Sequence, residues 1–251
     1  MCGRFALTLP KDAMLSLFEA RDALGQDEAL AQPRYNIRPT QRILAASIAP
    51  EGERVLSAFR WGLLPHWAKS GKDGPPLINA RGESVAQKPA FKAAFAARRC
   101  LVPADGFFEW TTLPAPGEKG RPIKQPHWIR PAAERDRPLT FGGVWRIWRG
   151  EDGEEIPSLA IVTTAANKAM SSLHDRLPVR IAPEDFATWL EGDEHAASAL
   201  IRAPNDAFYE HYTVSRRINT GGRNAPDDET LLEPWTETEA PTSDEDQPSL
   251  F

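Results

Sequence analysis

The chain has 251 residues, is 41 % hydrophobic and 26 % charged, and carries a formal net charge of -5 with only two cysteines. Such a length and apolar content support one large domain or two small ones with a real core. No apolar run approaches the ~18 residues of a membrane span, the start lacks a basic-then-apolar secretion signal, and Cys2 and Cys100 are too few for a disulfide scaffold or a four-cysteine zinc site. The expectation is a cytoplasmic protein in a reducing compartment, not associated with a membrane. The net charge hides an asymmetry. Residues 226–251 hold nine of the 35 acidic groups and no Lys or Arg, which leaves residues 1–225 with 30 basic against 26 acidic groups. That mild excess is weak evidence for a nucleic-acid partner on its own. Eight Trp are more than a core of this size needs.

Residues 11–24 place Met14, Leu17, Phe18 and Leu24 at helical spacing between Pro10 and Gly25, predicting a helix. Residues 33–41 read as an irregular loop. Residues 42–49 and 54–61 predict two strands joined by Pro50-Glu51-Gly52-Glu53. The stretch 61–68 is a shaped loop with two indoles, Trp61 and Trp67. It leads through a Gly-rich basic spacer to residues 78–84. A short helix over 89–99 puts Phe91 and Phe95 on one face. Residues 99–110 predict a strand, a turn at Pro103-Ala104-Asp105-Gly106 and a second apolar run that carries one acid, Glu109. Residues 111–126 read as a Pro/Gly/Lys loop. Strands follow at 127–131, 138–148 and 156–164, the last two as a hairpin over Gly150-Glu151-Asp152-Gly153. Helical patterns cover 166–173, 183–192 and 194–202, and residues 209–219 form a final strand. The class is α+β: antiparallel pairing with short peripheral helices and no regular βαβ repeat. Residues 1–222 make the domain. Residues 223–251 read as an acidic, disordered tail.

The first candidate for chemistry is Cys2. Removal of Met1 would leave it with an α-amine and a thiol on adjacent carbons. Such a 1,2-aminothiol condenses with an aldehyde and closes to a thiazolidine, and both groups titrate near neutrality, at about 8 and 8.5. Glu109 sits inside an apolar run. Buried, it would be a usable acid/base; on the solvent face of an alternating strand it would be inert. His174, at a helix end before Asp175-Arg176-Leu177-Pro178, is the best histidine candidate. His66 and His127 border Trp residues, and His195 and His211 read as surface. No metal spacing, Walker A, GxGxxG or GxSxG is present, so neither metal nor cofactor is expected. Trp67 and Trp110 suit either base stacking or a core.

Seven stretches then assemble in order. They are Met1–Phe5, Tyr35–Gln41, Trp61–Trp67, Asn79–Glu83, Cys100–Trp110, Phe141–Trp145 and His174–Pro178. Together the sequence resembles the SRAP (SOS response-associated peptidase) family over roughly residues 2–220. The resemblance implies antiparallel sheets curved into a barrel-like core. It also implies a sensor of abasic sites in single-stranded DNA that forms a thiazolidine crosslink through Cys2, in a cytoplasmic protein that joins the nucleoid during DNA damage. It assigns Asn79 to the linkage, Glu109 to proton transfer at the amine, and His174 to opening of the sugar. It makes Arg4, Arg81 and Arg176 phosphate contacts, and Trp67 and Trp110 stacking or wedge residues. Leu177 and Ser84 replace the family's usual Met and Thr. The competing readings are a thiol peptidase or autoprotease built on Cys2, and a non-covalent strand binder. A monomer is expected. The terminal Gln247-Pro248-Ser249-Leu250-Phe251 resembles the bacterial sliding-clamp pentapeptide through Gln247, Ser249, Leu250 and Phe251, with Pro248 as a departure.

Overall fold

A computed structural model describes residues 2–71, 74–116 and 122–235, with Met1 and the chain beyond residue 235 outside it. Two antiparallel hairpins supply most of its frame. In one, β4 (Arg42–Ile48) pairs with β5 (Arg54–Trp61); in the other, β10 (Leu139–Arg149) pairs with β11 (Glu155–Ala165). β7 (Arg99–Ala104) lies between β4 and β10 and pairs antiparallel with both. A short parallel contact between β5 and β11, Ser158 opposite Arg60 and Leu159 opposite Trp61, closes these five strands into a barrel. Closure removes exposed strand edges.

A second, five-stranded sheet stacks beside the barrel. Its strands run β13 (Tyr209–Thr213), β9 (Pro122–Pro131), β8 (Gly106–Pro116), β1 (Phe5–Leu7), β3 (Arg34–Ile37). Phe5 joins the two layers. Its ring meets Trp61 edge-on at 5.1 Å and Phe141 at 6.4 Å, and Phe107 meets Phe141 at 5.9 Å. Edge-to-face pairs of this kind add to the burial of large apolar surface. The fold is therefore α+β with a barrel-like antiparallel core, as the sequence implied; α1 (Lys11–Phe18), α2 (Lys92–Ala97), α3 (Phe186–Glu191) and α4 (Glu194–Ala199) are its short helices. Gly142 is a packing glycine: a Cβ there would lie 2.7 Å from the Trp189 indole of α3.

Several expectations change. The first helix stops at Phe18, because Glu19 takes the left-handed conformation (φ 49) and Arg21–Asp22 (β2) pairs with β5. Residues 111–116 and 122–126 are strand, extending the β8–β9 hairpin; Thr111 lies opposite Gln125 and Thr112 opposite Lys124. Partnering across the sheet outweighs the local Pro and Gly signals. Residues 166–173 make only turns, and the closing strand ends at Thr213, before a 3-10 turn over Arg216–Asn219. The folded body also runs past 222. Leu231 is fully buried, the Asp227 carboxylate accepts the Tyr35 N–H, and the Trp235 N–H donates to the Thr213 carbonyl. Apolar residues spaced among the acidic ones give this segment something to bury. Among the described residues, no helix is long and apolar enough to cross a membrane.

Candidate functional site

The N-terminal residues are set by β1. Phe5 lies opposite Phe107 of β8 and Ile37 of β3, and the Phe108 N–H donates to the Arg4 carbonyl at 2.9 Å. Continuing that register by two residues sets Gly3 opposite Glu109. Cys2 is thereby held between the two layers and is fully buried. From the barrel side comes β6 (Asn79–Arg81), which pairs in parallel with β11, Asn79 opposite Ile161. The Asn79 side-chain Nδ2 donates to the Cys2 carbonyl at 2.9 Å. Asn79 Oδ1 is buried without a hydrogen-bond partner among the described residues.

Glu109 takes the buried alternative. Along β8, Phe107 packs into the main core, whereas Phe108 and Trp110 belong to a separate cluster with Ala6, Trp128 and Leu231. Alternation keeps Glu109 on the Phe107 face, and it is only 3 % exposed. Burial raises its carboxyl above the usual carboxylate range, with the charge of His174 acting in the opposite direction. The same causes reach Cys2: burial first, then the Glu109 charge, push its thiol well up. A protonated thiol beside an elevated carboxyl needs an internal base before it can attack.

His174 completes the group. Its Nε2 lies 4.0 Å from Glu109 Oε2. Its Nδ1 accepts the Arg176 backbone N–H at 2.9 Å and lies 2.8 Å from Asp175 Oδ1. Its Nε2 is left facing Glu109, the direction in which the ring can pass or take a proton.

The cationic and aromatic candidates occupy four settings. Arg176 follows His174, and its guanidinium meets the Glu83 carboxylate at 2.5 and 2.9 Å and the Thr163 carbonyl at 2.6 Å. Arg4 is enclosed: it donates to Asn36 Oδ1 at 3.2 Å and to the Ile218 carbonyl, and it stacks over Trp110 at 5.5 Å. Burial, then the charge of Arg38, pull its pKa down to about 10. Trp110 itself donates from Nε1 to Asn219 Oδ1 at 2.7 Å. Arg81 is exposed at the end of β6. Trp67 stands apart beyond the end of β5, 54 % exposed and edge-on to His66 at 4.8 Å. The structure thus gathers Cys2, Asn79, Glu109 and His174, with Arg176 attached through His174, and leaves Trp67 outside that group. Sequence reading gave no role to Glu83, Asn36 or Thr163. The first two lie inside the quoted stretches 79–83 and 35–41, which was the available signal; Thr163 carried none.

This arrangement of a closed barrel, a flanking sheet and an N-terminal cysteine among Asn, Glu and His defines a class. The model of the family "SOS response associated peptidase (SRAP)" matches residues 1–221. The chain belongs to the SRAP family. It is 32 % identical over 230 residues to the "Abasic site processing protein YoqW" of Bacillus subtilis, covering 90 % of this chain and 98 % of that one. It is 33 % identical over 228 residues to the "Abasic site processing protein YedK" of Escherichia coli, covering 87 % and 94 %. It is 30 % identical over 265 residues to the "Abasic site processing protein HMCES" of Xenopus tropicalis, covering 90 % and 77 %. Among solved structures, a Bacteroides thetaiotaomicron protein superimposes with a TM-score of 0.77 at 19 % identity, covering 94 % of this chain and all of that one.

Proposed function

We propose that this protein senses abasic sites in single-stranded DNA and bonds to them covalently through Cys2. The observation that carries the reading is the Asn79 Nδ2 hydrogen bond to the Cys2 carbonyl, with buried Glu109 and His174 beside it. The names of the relatives, abasic site processing proteins, support the same substrate.

The chemistry follows from the groups. Loss of Met1 frees the Cys2 α-amine. His174 donates a proton to the ring oxygen of the abasic sugar while the anomeric hydroxyl gives up its own proton, so the ring C–O bond breaks and the sugar opens to the aldehyde with no net change in protons. The amine adds to the aldehyde carbon, and loss of one water gives an imine. Glu109 takes the proton released by the amine. The Cys2 sulfur then adds to the imine carbon and the nitrogen regains a proton, closing a thiazolidine. Asn79 fixes the Cys2 backbone so that both nucleophiles face one carbon. Arg81 and Arg176 neutralise the flanking phosphates, while Arg4 supports the site from behind Trp110. The crosslink shields the lesion during the response to DNA damage. Residues 247–251, outside the described residues, tether the protein to the replication clamp; equal clamp capture by the chain with and without them would remove that role.

The test is a denaturing gel of wild type and Cys2→Ser with single-stranded DNA carrying one abasic site. Wild type gives a heat-stable adduct and Cys2→Ser does not, because a hydroxyl closes onto an imine far less favourably. Equal adduct from both would discard the thiazolidine. Turnover of a peptide panel by wild type, without adduct, would instead favour a peptidase.

A further inference from the structure

A basic cleft lies away from the cysteine site. His66, Arg98, Arg146, Ile147, Trp148 and Arg149 line an opening of about 300 Å³, and no carboxylate is among them. Arg149 is neutralised by Glu155 at 2.5 Å. Arg98 and Arg146 are not: among the described residues neither meets an acid. Their charges oppose each other, and burial followed by the Arg98 charge holds the Arg146 guanidinium below its ordinary value. Arg146 Nε is buried with no hydrogen-bond partner. Arg98 stacks over the Trp145 ring at 5.8 Å, which fixes its guanidinium at the mouth. Two adjacent guanidiniums with no counter-charge among the described residues, one of them with an unmet donor, are a poor arrangement for stability alone. They suit an anion with several acceptor oxygens.

The rim indicates which anion. Trp67, 54 % exposed, stands edge-on to His66 of the cleft wall, and Ile147 is 37 % exposed beside it. The 66–68 loop is pinned there, because Trp148 Nε1 donates to the Ala68 carbonyl at 2.9 Å. Phosphate contacts next to an exposed aromatic face are the arrangement that follows a single strand without reading its sequence. The chain leaves the barrel closure at Gly62 and returns to the cysteine site at Asn79. Gly62 makes the turn there possible: its φ is 127, and a Cβ there would lie 2.8 Å from Pro76. Along β10, Arg146 is three residues beyond Gly143, the residue level with Ile161 and hence with Asn79, so the cleft starts on the order of 10 Å along the strand from the site.

We infer that this cleft binds a backbone phosphate of single-stranded DNA through Arg98 and Arg146, holding the strand at a point removed from the lesion, with Trp67 at its rim in the stacking role the family resemblance already implies. This rests on the DNA-binding reading above. The experiment compares wild type, Arg98→Ala/Arg146→Ala and Arg98→Lys/Arg146→Lys on two substrates. One is an undamaged single strand of about 15 nucleotides, followed by anisotropy across a salt series; the other is a trinucleotide with a central abasic site, followed by adduct yield. For the alanine pair, affinity for the long strand falls about tenfold and the salt slope falls by about 0.7, the contribution of one phosphate contact on a single strand. The lysine pair restores both, and all three proteins crosslink the trinucleotide equally. Unchanged affinity and slope in the alanine pair overturns the inference, as does loss of trinucleotide crosslinking in that pair, which would assign the arginines to the fold. Failure of wild type on both substrates overturns the DNA-binding reading itself.

Discussion

Asn79 holds Cys2 by its backbone: the side-chain amide donates to the Cys2 carbonyl at 2.9 Å from a strand anchored on the barrel. The bond ties the end of a terminal segment to the most internally braced part of the molecule. Asn79→Ala removes it and is expected to cost about 1 kcal/mol in stability while slowing adduct formation roughly tenfold or more, because the amine loses its fixed approach. Single-turnover crosslinking beside a thermal melt separates the two effects. A variant as fast as wild type would deny Asn79 a positioning role.

Glu109 is expected to trade stability for chemistry. Its folded-state carboxyl is raised by burial. Its contribution to stability is therefore fully present below the unfolded value near 4.3 and is lost as pH rises through the folded value. Glu109→Gln removes that loss. The variant should gain in Tm relative to wild type at pH 7.5 and show little gain at pH 4, while its crosslinking rate falls about a hundredfold. A gain that is equal at both pH values would show that Glu109 is not carrying a disfavoured charge.

Arg176 is held by Glu83 through two contacts and is largely covered, whereas Glu83 is about half exposed. A DNA phosphate would compete with that carboxylate. Arg176→Ala should weaken binding to single-stranded DNA and reduce its salt slope by about 0.7. Glu83→Ala should strengthen binding several-fold by removing the competitor. If Glu83→Ala weakens binding as much as Arg176→Ala does, the pair positions His174 and Arg176 and does not contact phosphate.

The segment 226–235 is part of the domain. Leu231 is fully buried in the cluster that backs Trp110, and Arg217 pairs with Asp228 at 3.0 Å. Leu231→Ala is expected to destabilise by roughly 2–5 kcal/mol, as large-to-small core changes do, and truncation after Ala225 by at least as much. Denaturant melts check this. Equal midpoints for the full chain and the truncation would return this segment to the tail.

Both barrel hairpins were legible because short apolar runs met clear turn chemistry at residues 50–53 and 150–153. The parallel β5–β11 contact that closes the barrel was not, since a pairing between Arg60 and Ser158 leaves no local trace. Glu109 shows the limit within a strand. Periodicity grouped it with Phe107, but both faces of β8 are buried, so alternation alone left its exposure open. Cys2, Glu109 and His174 stood out by residue type and setting, and Asn79 only through the family resemblance. Their convergence on Cys2 depends on register and on the parallel β6–β11 pair, and both are properties of the folded chain. Pairing of residues 111–116 with 122–126 and burial at 231 were missed because local Pro, Gly and acidic signals outweighed sparse apolar ones.

The most direct measurement is intact mass, first of the purified protein and then of the protein mixed with single-stranded DNA containing one abasic site. A chain lacking Met1, followed by a heat-stable species equal in mass to protein plus DNA minus one water, is the expected result, with Cys2→Ala yielding at most an imine trapped by reduction. A retained Met1, or tight binding with no adduct, would contradict the assignment of Cys2 as the residue that bonds to the lesion.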